Sequence, residues 1–384
     1  GTCRAPEAGG HPMDLTFSAA QLALRAEVSE FLAAERAAGS FTPQVDAWIT
    51  GFDREFTKKM AARGWIGLTW PKEYGGGGRS YVDRLCVTEL LLGAGAPLAA
   101  HWFADRQMGP SILAHGSEAQ KERYLPEILA GEATYCIGMS EPQAGSDLAG
   151  VRTRAVRAGT GWRITGHKVW TSLAHHSDYI YLLARTDPAS ERHDGLSELI
   201  VPLRSAGVTI SPIHDMSGAH HFNEVFFDEV EVGPDALIGA EGGGWRQVTG
   251  QLGYERSGLE RFMSTWALFE AMRAAAGDDE RRQEELGALE AAARVARLLV
   301  FRAAAVADSG RPPDHEAAMA KVFATDIEQR MVEVASQWAG RAARTGEAFG
   351  GHLLPAWLIA PSFSIRGGTN EVLRGIIARR ALGL

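Results

Sequence analysis

The segment GMSEPQAGSDLAG, residues 138–150, decides the fold of this chain of 384 residues. It is rich in glycine and hydroxyl side chains, and it lies where one pattern of apolar residues gives way to another. Backbone N–H groups and small side chains in such a loop allow a flat, phosphate-bearing ligand to approach closely. The composition is equally typical of a linker between domains, so the loop by itself leaves both interpretations open.

The residues before this segment carry a helical pattern. Ser18 and Gln21 form a capping box ahead of apolar residues at helical spacing, starting with Leu24 and Val28. Further helices are predicted over Asp53–Arg63, Val82–Leu92 and Glu118–Leu129. The sequence therefore predicts an N-terminal helical domain over residues 14–133. Residues 1–13 are predicted to be a disordered leader, in which Met13 resembles a natural start.

After the segment the apolar period changes to two, which is typical of strands. The predicted strands are Val151–Arg157, Trp162–Thr165, Lys168–Thr171, Tyr179–Ala184, Leu199–Leu203, Val208–Ile210 and Val225–Val232. The second and third of these flank Gly166-His167, which we expect to be a hairpin turn. Short connections favour a β-barrel or sandwich, and the predicted domain covers residues 134–240.

Helical periodicity returns in the last part of the sequence. The predicted helices are Trp245–Ala275, Glu280–Asp308 and Asp314–Arg344. They predict a C-terminal helical bundle over residues 241–384, so the fold class is α+β: helical, then β, then helical.

Composition excludes several classes of function. The formal net charge of -8 argues against a nucleic-acid partner, because the basic excess that displaces phosphate counterions is absent. No apolar run reaches the ~20 residues that span a bilayer. Cys3, Cys86 and Cys136 form neither a disulfide ladder nor a metal pair, which favours a reducing, cytoplasmic compartment. The adjacent histidines at 175–176 and 220–221 lack helical ligand spacing, so no metal site is expected.

Residues 138–150 closely resemble the signature of the acyl-CoA dehydrogenase family, and the order of domains resembles that family over residues 14–384. The resemblance implies an enzyme that uses FAD to introduce an α,β double bond into an acyl-CoA or acyl-carrier thioester. It implies that Met139 and Ser140 lie at the flavin ring. It also implies that Ser146 lies near the phosphates and the substrate.

A second motif follows at Lys168-Val169-Trp170-Thr171-Ser172. A tryptophan in a predicted hairpin is usually part of a core. The family, however, uses a tryptophan here to cover one face of the flavin, and a hydroxyl two residues later near the reactive N5 atom. The resemblance thus implies that Trp170, Thr171 and Ser172 bind FAD.

The reaction needs a carboxylate that removes a weakly acidic α-proton. Many members carry this glutamate just before a Gly-Thr pair near the C-terminus, where this sequence has Gly367. Others carry it before an arginine on a helix of the C-terminal domain, which matches Glu255 and Arg256. We expect Glu255 to be the base and Arg256 to be its electrostatic neighbour in the substrate site. Glu260 with Arg261 is a competing pair.

The C-terminal motif keeps its backbone role in the resemblance. The N–H of Gly367 is expected to hold the thioester carbonyl, while Thr369 and Asn370 face the phosphates or the adenine of FAD. Gly-Gly-Thr-Asn is also a good turn and helix N-cap, and both interpretations can hold together.

Two elements that reach a neighbouring subunit's FAD depart from the family pattern. The Arg-x-x-Phe-Gly element has no aromatic residue near 277–287, although Arg281 or Arg282 could substitute for its arginine. Gln337 is present as expected, but the glycine turn after it is replaced by Trp338-Ala339-Gly340-Arg341. The chain is therefore expected to form a homotetramer or homodimer, or a heteromer with another dehydrogenase-like chain.

Three hypotheses remain at this point. The first is the dehydrogenase, which passes electrons to an electron-transfer flavoprotein. The second is a flavin-dependent oxidase or monooxygenase on the same fold, and the third is a non-catalytic subunit that completes a partner's FAD site. Chain length and branching of the acyl group are not encoded in an obvious pattern; Trp102, Phe103 and Phe262 are candidates for its pocket.

Overall fold

The computed structural model describes residues 16–256, 258–344 and 346–383, without the side chains of 252–255 and 344. The predicted leader, residues 1–13, lies outside the described residues. In the N-terminal part the helices are α1 Ala19–Ala37, α2 Ala47–Thr50, α3 Arg54–Ala62, α4 Tyr81–Gly93, α5 Ala99–Phe103, α6 Gly109–His115 and α7 Glu118–Leu129. A π-helical turn, Ala104–Met108, joins α5 to α6.

The capping box predicted at the start of α1 is confirmed. The Ser18 hydroxyl accepts a hydrogen bond from the Gln21 backbone N–H at 3.2 Å, and the Gln21 side chain accepts one from Ser18 N–H at 3.0 Å. The helix then buries Leu24, Val28 and their neighbours against the other N-terminal helices. One apolar face and one cap thus determine where this helix begins and which way it packs.

The middle part is a mixed β-sheet. Its strands are β1 Tyr135–Gly138, β2 Arg154–Ala158, β3 Gly161–Ser172, β4 Tyr179–Arg185, β5 Leu196–Pro202, β6 Val208–His214, β7 His220–Val232 and β8 Leu237–Ile238. Their order is β6–β7–β3–β2–β4–β5–β8, and β1 pairs in parallel with β4. Most other pairings are antiparallel, as hairpin-length connections require.

The hairpin turn predicted at Gly166-His167 is wrong. Both residues lie inside the single strand β3, where Gly166 pairs with Phe227. An added Cβ at Gly166 would collide with the Thr153 side chain. This glycine therefore allows a close approach within the sheet rather than a reversal of the chain.

The C-terminal part is helical, as predicted. Its helices are α8 Gly244–Arg256, α9 Glu260–Met263, α10 Trp266–Ala276, α11 Glu280–Asp308, α12 Asp314–Ala339, α13 Leu353–Phe363 and α14 Asn370–Ala381. The α11 bounds are those predicted from periodicity. The helix predicted from Trp245 to Ala275 is interrupted between α8 and α9, where an added Cβ at Gly258 would collide with the Glu260 carboxylate.

The domains share a core. Ala293, Ala296 and Val300 of α11 and Ala320 and Ala324 of α12 are buried in the same apolar cluster as the N-terminal helices. The sheet has its own apolar cluster around Trp162 and Ile180. Small alanine side chains let these long helices approach closely. A cleft remains where the helices, the sheet and the turn between α13 and α14 meet. This turn, residues 364–369, is called the C-terminal turn below.

Candidate functional site

The cleft has a volume of about 540 Å³ and is lined by residues from all three parts of the chain. The sequence-predicted residues that line it are Met139, Ser140, Ser146, Trp170, Ser172, Arg256, Gly367 and Thr369. Their positions in the sequence are far apart. The fold therefore brings most of the proposed site together in one concave surface, which is where ligand sites form.

The first wall of the cleft is the loop after β1, and a buried ion pair holds it. The Lys168 ammonium lies 2.8 Å from Oε1 of Glu141 and donates to the Met139 carbonyl at 2.9 Å. Glu141 also accepts hydrogen bonds from the backbone N–H groups of Arg152 and Thr153. Since every one of these partners is fixed, the loop is held in one conformation against β3.

Burial and charge act in opposite directions on this pair. Burial alone would raise the pKa of Glu141, but the Lys168 ammonium and the surrounding donors lower it to about 2. Burial lowers the pKa of Lys168 to about 8, although Glu141 favours its charged form. Both groups are therefore charged at neutral pH, and each depends on the other.

Trp170 projects from a bulge in β3 into the cleft. The register between β3 and β7 shifts between Lys168 and Thr171, and Trp170 has φ +58°. A left-handed conformation is uncommon for a large side chain, and strain of this kind is often found at functional sites. The indole is 57% exposed and meets the Phe222 ring edge-on at 5.7 Å. An exposed aromatic face in a cleft is suited to stacking on a flat ligand.

The two hydroxyl residues after Trp170 point in different directions. Ser172 lines the cleft. Thr171 does not line it: its side chain is buried, and its Oγ1 has no hydrogen-bond partner among the described residues. The Thr171 carbonyl accepts a hydrogen bond from the Asn223 amide at 3.0 Å. Asn223 therefore anchors the strand just beyond the bulge.

Helix α8 lines the cleft with several residues between Trp245 and Arg256. Nε of Arg256 donates to the Gly367 carbonyl at 3.0 Å, and Arg256 lines the cleft. The backbone of Glu255 belongs to the last turn of α8, whereas its side chain lies outside the described residues. The predicted pair Glu255-Arg256 thus sits at the junction between α8 and the C-terminal turn.

The competing pair lies in the interior. Glu260 and Arg261 are 2% and 4% exposed, and Arg261 Nε is 3.1 Å from Glu260 Oε1. The Arg261 guanidinium also lies over the Trp48 ring, 5.6 Å from its centre. Neither residue lines the cleft. Their surroundings are those of a buried structural ion pair.

The C-terminal turn is held by cations on its carbonyl side. The Lys321 ammonium donates to the Gly368 carbonyl at 2.9 Å and to the Asn370 side chain at 3.0 Å. Burial, and next the Arg261 guanidinium, lower the pKa of Lys321 to about 7. Asn370 itself is buried and does not line the cleft, while Thr369 caps α14 by accepting from Val372 N–H at 3.3 Å.

The N–H groups of Gly367 and Gly368 have no acceptor within the described part of the chain. Both glycines line the cleft and have positive φ, +67° and +92°. A Cβ added at Gly367 would lie 2.7 Å from Nη1 of Arg261. This turn therefore offers free amide donors, and it offers no room for a side chain.

The elements that were predicted to reach a neighbouring subunit do not line the cleft. Gln337 borders a separate, open surface depression between α12 and α13, together with the exposed Trp357. In the region without the expected aromatic, Arg281 pairs with Glu285, and Arg282 lies over the Trp338 ring at 5.3 Å. Gln337 is thus presented on the surface of this chain.

The three residues predicted to line the acyl pocket, Trp102, Phe103 and Phe262, lie in different places. Phe103 lines the cleft. Trp102 is buried against Trp48, with ring centres 5.3 Å apart, and Phe262 lines a different depression beside α4 and α11.

The polar residues of the cleft that sequence reasoning missed include Gln107 in the π-helical turn, Gln251 on α8 and Arg379 on α14. Glutamine in a helical pattern gives no signal, because an exposed face and a cleft face look the same in one sequence. Arg379 resembles an ordinary charge at a helix C-terminus. A π-helical turn often marks a functional site, but nothing in the sequence announces it.

The chemistry of the residues that line the cleft fits FAD. The exposed indole of Trp170 can cover a ring, and Gly145 has open space where a Cβ would be. Free backbone donors and the Arg379 guanidinium suit phosphate oxygens. Among the described residues there is no cluster of three or more histidine, cysteine or acidic side chains arranged for a metal ion. No helix within them has the length and apolarity to cross a membrane.

Three family models match successive parts of the chain. They are described as the N-terminal, middle and C-terminal domains of acyl-CoA dehydrogenase, and they match residues 18–132, 136–230 and 242–382. Acyl-CoA dehydrogenase FadE29 of Mycobacterium tuberculosis is 38% identical over 86% of this chain and 88% of its own length. FadE26 of the same organism is 35% identical over 97% of this chain and 99% of its own length.

Solved structures agree with this similarity. The chain resembles the Tcur3481-Tcur3483 steroid ACAD with a TM-score of 0.86 and 32% identity, covering 97% of this chain and 99% of that one. It resembles the ChsE4-ChsE5 complex from Mycobacterium tuberculosis with a TM-score of 0.83 and 33% identity, again over 97% and 99%.

Proposed function

The chain belongs to the acyl-CoA dehydrogenase family, and from that premise we propose that Glu255 is the base that removes the α-proton of the substrate. The general activity is that of the family: the protein is an FAD-dependent flavoprotein oxidoreductase that introduces a double bond into an acyl-CoA. The proposal concerns the residues that carry out this reaction in this chain.

The observation that carries the proposal is the junction between α8 and the C-terminal turn. Arg256 reaches the Gly367 carbonyl, and both residues line the cleft. Glu255 directly precedes Arg256, while Gly367 offers no carboxylate and Glu260 is enclosed in the core. We therefore assign the removal of the proton to the Glu255 carboxylate.

FAD supplies the acceptor for the hydride that leaves the β-carbon, at N5 of its ring. We assign its ring to the surface formed by Met139, Ser140, Trp170 and Ser172. We assign its phosphates to Ser146, Thr369 and the amide donors of the C-terminal turn. Arg379 at the cleft mouth adds a cation suited to phosphate.

Residues of the protein carry out the removal of the proton and the stabilisation of the charge that develops. As the Glu255 carboxylate takes the α-proton, negative charge develops on the thioester oxygen. The free N–H of Gly367 can donate to that oxygen and stabilise the charge. Arg256 keeps this amide in place through the carbonyl of the same residue, and Ser146 contributes a hydroxyl to the substrate side.

We also propose that electrons leave to an electron-transfer flavoprotein. Two of the similar structures are named as pairs of chains, ChsE4-ChsE5 and Tcur3481-Tcur3483, and the second is named as a steroid ACAD. Together with the altered elements near 277–287 and after Gln337, these names support a heteromer and a bulky acyl group. The homo-oligomer is the alternative assembly.

Anaerobic addition of acyl-CoAs of increasing size to the purified, flavin-loaded protein tests the function. Loss of flavin absorbance with at least one acyl-CoA is expected, followed by slow reoxidation in air and fast reoxidation by an artificial acceptor. Fast reoxidation in air would instead favour an oxidase. If the chain is colourless alone and only a co-expressed partner restores bound flavin and activity, the non-catalytic subunit gains support.

A further inference from the structure

The part of the cleft beside the π-helical turn, here called its polar end, is lined by amide side chains, which a hydrocarbon chain does not require. Gln107 lines the cleft from the π-helical turn and is only 8% exposed. Its side-chain amide has no hydrogen-bond partner within the described residues. An amide in the wall of a cleft that has no partner in the protein is available to hydrogen-bond a polar group of a ligand.

A second amide reaches the same cleft from α8. Gln251 lines it and donates through Nε2 to the Ser111 hydroxyl at 2.8 Å. Ser111 is 2.5 Å from the Tyr181 hydroxyl, which donates to Oε2 of Glu198 at 2.9 Å. The single O–H of Tyr181 donates its hydrogen bond to Oε2 of Glu198. The Ser111 hydroxyl therefore donates to the Tyr181 oxygen and accepts from the Gln251 amide.

This chain of donors fixes the Gln251 amide. Its nitrogen faces Ser111, so its carbonyl oxygen Oε1 is left without a donor among the described residues. Glu198 is fully buried, and its Oε1 also has no partner there. Hydrogen bonds thus hold the Gln251 nitrogen, and Oε1 of this cleft residue is left available as an acceptor.

The two amides lie on facing elements. The π-helical turn that carries Gln107 packs against α8, and Ser111, the partner of Gln251, follows Gln107 by one helical turn. Gln251 precedes Glu255 by four residues, which places their backbones about 6 Å apart along the axis of α8. The polar end is therefore several carbons beyond the carbons that react.

We propose that this end of the cleft binds a hydroxyl group on the acyl chain of the substrate. The hydroxyl donates to Oε1 of Gln251 and accepts from the amide N–H of Gln107. The preferred substrates are then hydroxylated acyl thioesters, with the oxygen several carbons from the thioester. This inference rests on the proposed dehydrogenase function and specifies its substrate class.

Matched acyl-CoAs test the inference. The probes are octanoyl-CoA and its analogues with a hydroxyl or an oxo group on the fifth, sixth or seventh carbon, with anaerobic flavin reduction as the readout. One hydroxy analogue is expected to exceed octanoyl-CoA in the apparent second-order rate constant of flavin reduction by roughly 3- to 30-fold, the effect of one or two buried hydrogen bonds. Its oxo counterpart, which cannot donate to Gln251, is expected to lie between them.

Near-isosteric apolar variants separate recognition from folding. Gln107→Met and Gln251→Met are each expected to bring the ratio of the two rate constants, for the preferred hydroxy analogue and for octanoyl-CoA, close to one. Gln107 has no hydrogen bond to lose, so its variant remains informative even if Gln251→Met fails to fold. Thr249→Val is the matched control: this cleft hydroxyl already donates to the Trp245 carbonyl at 2.8 Å, and the ratio should not change.

The outcomes are distinguishable. A ratio near one for every analogue with wild-type protein would overturn the inference, as would a preference that persists in both methionine variants. If octanoyl-CoA reduces the flavin and no analogue is preferred, only the polar subsite fails. If a bulkier acyl-CoA reduces the flavin but octanoyl-CoA and all its analogues do not, the inference is overturned; if no acyl-CoA of any size reduces it, the proposed function itself fails.

Discussion

Arg256 and Gly367 are joined by a hydrogen bond of 3.0 Å from the guanidinium Nε to the carbonyl oxygen. Through this contact the end of α8, which carries the proposed base, is tied to the turn that carries the proposed oxyanion donor. Lys321 holds the next carbonyl, that of Gly368, at 2.9 Å. Cations thus bind the carbonyl groups of Gly367 and Gly368, while their N–H groups have no acceptor among the described residues.

Arg256→Met is expected to slow flavin reduction by about 10- to 100-fold, because a hydrogen bond to a charged group contributes roughly 1.5–3 kcal/mol. Arg256→Lys should recover part of the rate, since an ammonium can still reach a carbonyl. Stopped-flow reduction by a saturating acyl-CoA measures the effect. An unchanged rate of flavin reduction in Arg256→Met would show that its hydrogen bond to the Gly367 carbonyl does not contribute to the reaction.

Gly367→Glu should not create a second base. The residue has φ +67°, and its Cβ would lie 2.7 Å from Nη1 of Arg261. A non-glycine residue in this conformation costs about 1–2 kcal/mol before any crowding. We therefore expect Glu255→Gln/Gly367→Glu to remain inactive and to melt below Glu255→Gln. Recovery of flavin reduction in the double variant would show that the turn accepts a carboxylate.

Breaking the buried ion pair between Glu141 and Lys168, which holds the loop after β1, should weaken the binding of FAD. Glu141→Gln or Lys168→Met leaves one buried charge alone and is expected to cost about 3–5 kcal/mol in the free energy of unfolding. The double variant Glu141→Gln/Lys168→Met should be less destabilised than the sum of the two. Urea unfolding and retained flavin on gel filtration measure both effects; strict additivity would argue against the pair.

Glu198 should make stability depend on pH. Burial raises its pKa from the ordinary 4.5 to about 8. Between these values the folded chain holds a proton that the unfolded chain releases, so the free energy of unfolding falls as pH rises. Glu198→Gln cannot titrate and should be stabilised relative to wild type by a few kcal/mol more at about pH 8 than at about pH 5. Equal pH dependence of unfolding in the two proteins would contradict this.

Local signals predicted much of the fold. The capping box at Ser18 and Gln21 is present, and the helices Glu118–Leu129 and Glu280–Asp308 have the predicted bounds. Strong caps and uninterrupted periodicity explain this success. The failures depend on tertiary contacts. Gly166 in β3 permits the close approach of the Thr153 side chain, and the predicted long helix is interrupted between α8 and α9, next to the buried Glu260.

The site was predictable where a motif names its residues. Most of the residues implied by the signature segment, by Trp170 and by the C-terminal glycines line one cleft. The bulge that turns Trp170 outward and the burial of Thr171 depend on the pairing of β3 with β7. Gln107 and Gln251 depend on which face of each helix meets the cleft, and a single sequence does not contain that information.

The most direct test of the account is flavin reduction by Glu255→Gln, which keeps the shape of the side chain and removes the base. With a substrate that bleaches the wild-type flavin, the account predicts reduction slowed by at least about 100-fold, with FAD still bound. An acidic control at the cleft, Asp314→Asn, should bleach at a rate near wild type. Bleaching by Glu255→Gln at the wild-type rate would contradict the central claim that this residue is the base.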